Sequence, residues 1–166
     1  MGAEGDRVAS RLQRGCRCFG AWIGTELVGF GWVSTAGEWI GELHLEITPA
    51  RGEAYIWNCF TVPGHRRKGV FGAVLRAIKA QLKGDGLGRV WIGSLSDPAE
   101  GAFPKAGFVP VLRFDVRSAG GLRWLRILPA YKVDPLLSAA GSKVVGSRGI
   151  PFGSGFYLST AESKRH

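Results

Sequence analysis

The stretch from Glu53 to Leu82 constrains the fold more than any other part of the chain. "EAYIWNCFTV" from Glu53 to Val62 is apolar, aromatic and β-branched, the composition of a strand. It leads through Pro63, Gly64 and the basic run His65, Arg66, Arg67, Lys68 into a helix. That helix is set by Val70, Val74, Ile78 and Leu82, which recur every four residues while Arg76, Lys79 and Lys83 fall on another face. A strand that feeds an amphipathic helix through a short turn is the building unit of α/β folds. The turn itself is locally unfavourable. A helix N-terminus carries about half a positive charge and amide donors without intrahelical partners, so neighbouring cations cost about 0.3 to 1 kcal/mol each when exposed. The pattern becomes favourable when an anion docks there and receives the amides, the dipole and the side-chain charges together.

Charge and composition narrow the anion. Lys and Arg total 22 against 13 acidic residues, a net charge of +9 that suits nucleic acid or a nucleotide cofactor. The 166 residues, 45% hydrophobic and 21% charged, are enough for one globular domain with a real core. No apolar run reaches membrane-spanning length and no charged-then-apolar leader opens the chain, so the expectation is a cytoplasmic protein that neither inserts nor is exported. Cys16 and Cys18 stand too close to suggest a disulfide framework, and no second Cys or His pair completes a zinc site around the three cysteines. Reduced thiols and no metal follow.

Along the chain, Cys18 to Ile23 and Leu27 to Ser34 are strand-like runs joined by a "GTE" turn, a β-hairpin. "EWIGELHLEI" alternates polar and apolar residues ahead of the Glu53–Val62 strand. "GDGLG" from Gly84 to Gly88 ends the helix, "RVWIGSL" from Arg89 to Leu95 reads as a buried strand, and "DPAEGAFPKAG" from Asp97 to Gly107 as a short helix closed by Gly107. Phe108 to Val116 and Leu122 to Leu128 flank "SAGG" as a last hairpin. Beyond residue 130 glycine, serine and isolated basic residues show no sustained periodicity, so residues 1–130 are read as the folded domain and 131–166 as a weakly ordered tail. A nucleotide P-loop is excluded because Lys68 precedes Gly69 and no Ser or Thr follows. "GDGLG" follows a helix and precedes a strand, the reverse of a dinucleotide fingerprint.

"RRKGVF" after "FTVP", with "SDPAEGAFPKAGF" about one strand later, resembles the two central motifs of the GCN5-related N-acetyltransferases, the GNAT family. The resemblance covers roughly Phe19 to Ile127 in element order, with motif identities between Glu53 and Phe108. It implies a mixed, mostly antiparallel sheet with flanking helices, here with abbreviated N-terminal elements, since only about eighteen residues precede the first strand. It implies acetyl-CoA as cofactor. Arg66, Arg67, Lys68, Gly69, Val70, Phe71 and Gly72 would hold its pyrophosphate, and Phe60, Thr61 and Val62, on a strand that splays from its neighbour, would lie beside the pantetheine. Phe71 occupies a position that is small in the family. Phe103 stands where many relatives place a tyrosine that protonates the departing thiolate. The family's strand-borne glutamate falls nearest Tyr55.

Transfer to an amine needs a proton acceptor, because an alkyl ammonium with a pKa near 10.4 is almost wholly charged at neutral pH. By period two, Glu53, Tyr55, Trp57 and Cys59 share one strand face, which makes Glu53 the candidate catalytic base; the competing reading is a solvated residue at the strand start. Cys59 reads as a buried strand thiol before a nucleophile, and His65 as a solvated residue before a phosphate ligand. Trp22, Trp32, Trp39, Trp57, Trp91 and Trp124 read as core, with one or two free to line an acceptor pocket. Arg113, Arg117, Arg123 and Arg126 read as a polar face or an attractor of acidic acceptors. The function expected is acetyl-CoA-dependent N-acyl transfer, directly to a small-molecule or protein amine. The alternatives are a catalytically weakened CoA-binding protein of the same type and a basic nucleic-acid-binding module, which leaves Gly69 and Gly72 unexplained. A homodimer is left open.

Overall fold

The computed structural model describes residues 3–94, 101–119, 122–147, 150–151 and 156–160. The chain divides into two compact units, one of residues 1–36 and 49–109, the other of residues 37–48 and 110–166.

The first unit opens with α1 (Ala3–Gln13), a helix that apolar periodicity does not announce because its only large apolar residues, Val8 and Leu12, remain exposed. It ends at Gly15, whose φ of 81° lets Gly15 N bond Leu12 O and Cys16 N bond Arg11 O. β1 (Arg17–Ile23) and β2 (Glu26–Ser34) form the expected hairpin. β5 (Glu53–Thr61) then pairs antiparallel with β2, and β6 (Arg89–Ile92) pairs parallel with β5, giving the sheet order β1-β2-β5-β6. The sheet is mixed and mostly antiparallel, as expected. α2 (Val70–Gly84) is the crossover between the parallel strands. Its Leu75, Ile78 and Leu82 are fully buried in one cluster with Val33 of β2 and Ala54 and Ile56 of β5. Burial of such side chains stabilises by about 1.5 to 3 kcal/mol each. α2 stops at Gly86, with φ of 80° and Leu87 N bonded to Leu82 O, so "GDGLG" is a helix cap. Of the short helix expected over 97–107, residues 95–100 lie outside the described residues. A tight turn at Pro104–Ala106 and Gly107 at φ 75° complete it, tied to α2 by Lys79 Nζ donating to Ala106 O at 2.7 Å.

The second unit holds the remaining strands. β3 (Glu38–Ile40) and β4 (Leu45–Ile47) are a short hairpin from the "EWIGELHLEI" stretch, and β4 also pairs with β9 (Val145–Ser147). β7 (Leu112–Ala119) and β8 (Leu122–Pro129) are the last expected hairpin, starting later than Phe108 because Phe108 is packed in the first unit's core. β8 continues to β11 (Phe156–Thr160) and β10 (Ile150–Pro151). The segment beyond 130, expected to be weakly ordered, contains α3 (Pro135–Val144). Its periodicity is blurred by Ser138, Gly141 and Ser142. Its start is nevertheless secured by Asp134, which accepts from Leu136 N and Leu137 N, and by Pro135 at the first helical position. Gly141 allows close approach, since a methyl there would meet Val111 at 2.9 Å.

The parallel pair of the first unit is anchored at its start by Glu53, which is 8% exposed. Its carboxylate accepts from Arg89 Nη1, from Trp91 Nε1 at 2.7 Å and from Ala50 N at 3.3 Å. Burial pushes this carboxyl up, but the donors from Trp91, Ala50 and Arg89 outweigh it and hold the group below the usual carboxylate range. The folded state therefore keeps Glu53 ionised at lower pH than the unfolded chain does. Its stabilisation is present above the ordinary carboxylate pKa and fades as pH falls through the folded value. Glu53→Gln should lower stability near neutral pH by about 1 to 3 kcal/mol, and the gap to wild type should close in acid. Thermal melts from neutral pH to about pH 3 check this, and coincident melting near neutrality would show that the carboxylate contributes nothing.

Candidate active site

β5 consists of two unlike halves. Its ladder with β6 runs from Glu53↔Arg89 to Ile56↔Ile92 and stops. From Trp57 to Thr61 the strand keeps β2 on one side and has no strand partner on the other among the described residues. The pairing with β2 also slips here: Phe30 opposes Phe60 and Trp32 opposes Trp57, so Asn58 and Cys59 share Gly31. Asn58 sits at φ 43°, the left-handed region that Asn tolerates better than most residues, and the result is a β-bulge.

The open half of β5 ends at the basic turn. Val62 N bonds Val28 O at 3.0 Å, Pro63–His65 form one tight turn, and Arg67 and Gly69 take φ of 60° and 83°. Gly69 is the residue before α2, with no side-chain cap on the helix and no acidic residue in its first turn. A side chain at Gly69 would meet nothing within 4 Å, and at Gly72 only the tip of Arg76. Arg66 Nε donates to Thr61 O at 3.1 Å, and its guanidinium lies 5.9 Å from the Phe60 ring. Arg67 and Lys68 are exposed, with no ion pair among the described residues. His65 reaches Glu26 at 3.6 Å rather than the open side of the turn. Open amides, glycine and three cations thus converge where an extended strand edge ends. Such an arrangement is chemically suited to an elongated ligand with an anionic group at one end.

The profile of the acetyltransferase (GNAT) family matches residues 3–108, more than half of the chain. The chain belongs to the GNAT acetyltransferase family. Solved structures agree in fold. An Agrobacterium tumefaciens protein assigned as an acetyltransferase superposes with a TM-score of 0.54 at 20% identity, covering 71% of this chain and 80% of that one. A Trypanosoma brucei acetyltransferase gives 0.50 at 16% identity over 69% of this chain and 76% of its own. AAC(6')-Iy, in complex with the bisubstrate analogue CoA-S-monomethyl-acetylneamine, gives 0.51 at 13% identity over 65% and 74%. No protein of curated function matches the chain in sequence.

Against this GNAT frame the residues singled out from sequence separate. Phe60, Thr61 and Val62 lie on or just past the open half of β5, and Arg66 to Gly72 form the turn and first residues of α2. The Phe71 ring packs against Phe103 at 6.0 Å, and Phe103 against Phe108 at 6.2 Å, so the bulk of Phe71 is turned into the packed side of the helix. Glu53 stands at the far end of the paired half, four residues or about 13 Å of strand before Trp57. Saturated by three donors and held ionised, it is suited to tying β5 to β6 and ill suited to accepting a proton at the split. Nor do Tyr55 and Cys59 share a face. The bulge turns Cys59 toward α2, where its thiol packs on the core with Val74 and Ile78, whereas strict period two would keep it beside Trp57.

Trp32 is buried, but Trp22, Trp39 and Trp124 are exposed, against the expectation of core packing. Arg113, Arg117 and Arg126 are exposed on the β7–β8 hairpin, and the Arg123 side chain lies outside the described residues. Sequence reading missed Arg11 and Asn58. The signal for Asn58 was an αL-tolerant residue inside an otherwise apolar strand; Arg11 had none.

Burial, with a smaller contribution from Cys18, pushes the Cys59 thiol up to about 12. An alkylating reagent at mildly basic pH should modify Cys59 at least about a hundredfold more slowly than an unhindered thiol, the labelling becoming fast only on unfolding. Peptide mass spectrometry after timed iodoacetamide exposure reads this, and rapid native labelling of Cys59 would contradict the buried placement.

Proposed function

We propose that this chain is an N-acyltransferase that takes an acetyl group from acetyl-CoA and passes it directly to an amine acceptor. The observation that carries the reading is the uncapped, basic start of α2 placed at the end of a strand edge that has lost its parallel neighbour. The residues fit the cofactor. Amides of Val70, Phe71 and Gly72 have no intrahelical acceptor, Gly69 leaves the approach open, and Arg66, Arg67 and Lys68 supply charge for a diphosphate. Phe60, Thr61 and Val62 would align the pantetheine arm along β5. Acetyl-CoA supplies an acyl carbon already activated as a thioester.

The chain's own part is orientation and proton management. Cys59 stays protonated and faces α2, which favours direct transfer over a covalent acyl-enzyme. Phe103 offers no hydroxyl to a leaving thiolate. Tyr55, at the position that resembles the family's glutamate, has its hydroxyl against Gly93, the residue after β6 ends: a methyl on Gly93 would lie 3.3 Å from it. Tyr55 is 5% exposed and lies in the half of β5 paired with β6, so we assign the proton-transfer role to water reaching the open half, and the anchoring role to Glu53. The acceptor is an amine of a small molecule or a protein. Phe103 favours, as second reading, a CoA-binding protein of weakened turnover.

Saturating acetyl-CoA, and desulfo-CoA equally, should raise the melting temperature, since a ligand selective for the folded state stabilises it by mass action. An unchanged melt with CoA, together with a salt-dependent shift with short DNA, would replace this reading by a nucleic-acid-binding one. Gly69→Asp should weaken CoA binding by at least about tenfold, about 1.4 kcal/mol, because it puts a side chain at φ 83° and a like charge beside the phosphates. Arg66→Ala should weaken it less, its guanidinium being partly committed to Thr61 O. Calorimetric titration of folded variants measures both, and wild-type affinity in Gly69→Asp would remove the turn from the site.

A further inference from the structure

The bulge in β5 needs a cause. Asn58 holds φ 43°, left-handed backbone that Asn adopts more readily than other residues with a side chain but that still needs support from its surroundings. The group that meets Asn58 comes from α1. The guanidinium carbon of Arg11 lies 5.1 Å from the centre of the Trp32 ring and 4.7 Å from that of Trp57, the two residues that face each other at the slip in register. With the Asn58 amide assigned so that its oxygen faces the guanidinium, Arg11 Nη1 and Nη2 donate to it at 2.8 and 3.1 Å. The reverse assignment would oppose donors to donors. A side chain that merely held α1 on the sheet would need the two indoles; it would not need the amide of the bulge residue.

The place matters. Trp57 is the first residue past Ile56, the last to pair with β6, so the bulge stands at the inner end of the open edge. From Thr61 that edge runs back over four residues, about 13 Å, to Trp57. Backbone groups there are not committed to a β6 partner.

We propose that Arg11 is a positioning residue: lying over Trp32 and Trp57 and donating to the Asn58 amide, it fixes the backbone of the bulge against the thioester carbonyl of a donor lying along this edge. The inference rests on the acyltransferase reading. Arg11 touches no reacting atom; it acts through Asn58. The bulge in turn supplies hydrogen bonding that polarises the carbonyl.

The test needs no acceptor. Acetyl-CoA isotope-labelled at its carbonyl carbon is titrated onto the full chain, and isotope-edited infrared difference spectra report the thioester carbonyl. In the wild type the bound band should move to lower frequency than in free acetyl-CoA. Arg11→Met should return it to the free position while CoA affinity stays within about threefold. Asn58→Ala should do the same, Asn58→Asp should retain the wild-type band because a carboxylate accepts from both Nη groups, and the Arg11→Met/Asn58→Ala double variant should be no worse than either single. Should Arg11→Met fail to fold, the contrast between Asn58→Ala and Asn58→Asp decides alone. A wild-type band at the free position with CoA bound, or a shifted band that survives Arg11→Met or Asn58→Ala, overturns the clamp and leaves the acyltransferase reading standing. Failure of the wild type to bind CoA brings down both.

Discussion

The packing of α2 on β2 and β5 is the contact from which the rest of the candidate site follows. Leu75, Ile78 and Leu82 are fully buried against Val33, Ala54 and Ile56. At about 1.5 to 3 kcal/mol for each fully buried side chain, this face outweighs the roughly 1 kcal/mol forgone by an uncapped start and the few tenths to 1 kcal/mol for each exposed cation beside it. The helix is therefore held by its core face and has no need of its N-terminal amides. It can leave them open.

β5 divides the labour along its length. Its first half is dry and paired on both sides, with Glu53 locking it to Arg89 and Trp91. Its second half is bulged and open along one edge. Rigidity in the first half is what allows the second to hold a strained Asn58 and an unpaired edge without the strand unravelling. At the strand's start the donors from Trp91, Ala50 and Arg89 hold the Glu53 carboxyl below the usual carboxylate range, which makes it a weaker base than a free carboxylate. The open half and the turn after it offer instead main chain, aromatic rings and cations, the groups on which the proposed function rests.

The motif "TVPGHRRKGVFGAVL" made the strand–turn–helix unit and its anion-seeking turn legible, because helix period, Pro–Gly punctuation and charge at a helix start are local properties. The hairpins and the Gly86 and Gly107 stops were legible for the same reason. α1 was not, since its Val8 and Leu12 make no buried stripe, and α3 was not, since Asp134 and Pro135 start a helix whose apolar period is broken by serine and glycine.

What the sequence determined by itself was the strand–turn–helix unit from Glu53 to Leu82, the hairpins β1–β2 and β7–β8, the family resemblance and the residues of the basic turn, all encoded within a few neighbouring positions. What tertiary structure alone decided was which side chains meet. The one-residue slip at Asn58 moves Cys59 to the helix side of the sheet, because side-chain direction alternates with period two and an inserted residue reverses it. The end of the β6 ladder at Ile56, the capture of Glu53 by Arg89 and Trp91, and the seat of Arg11 over Trp32 and Trp57 each join positions far apart in the chain. No local pattern encodes such meetings, since they depend on register and crossover geometry fixed only when the sheet and α2 pack.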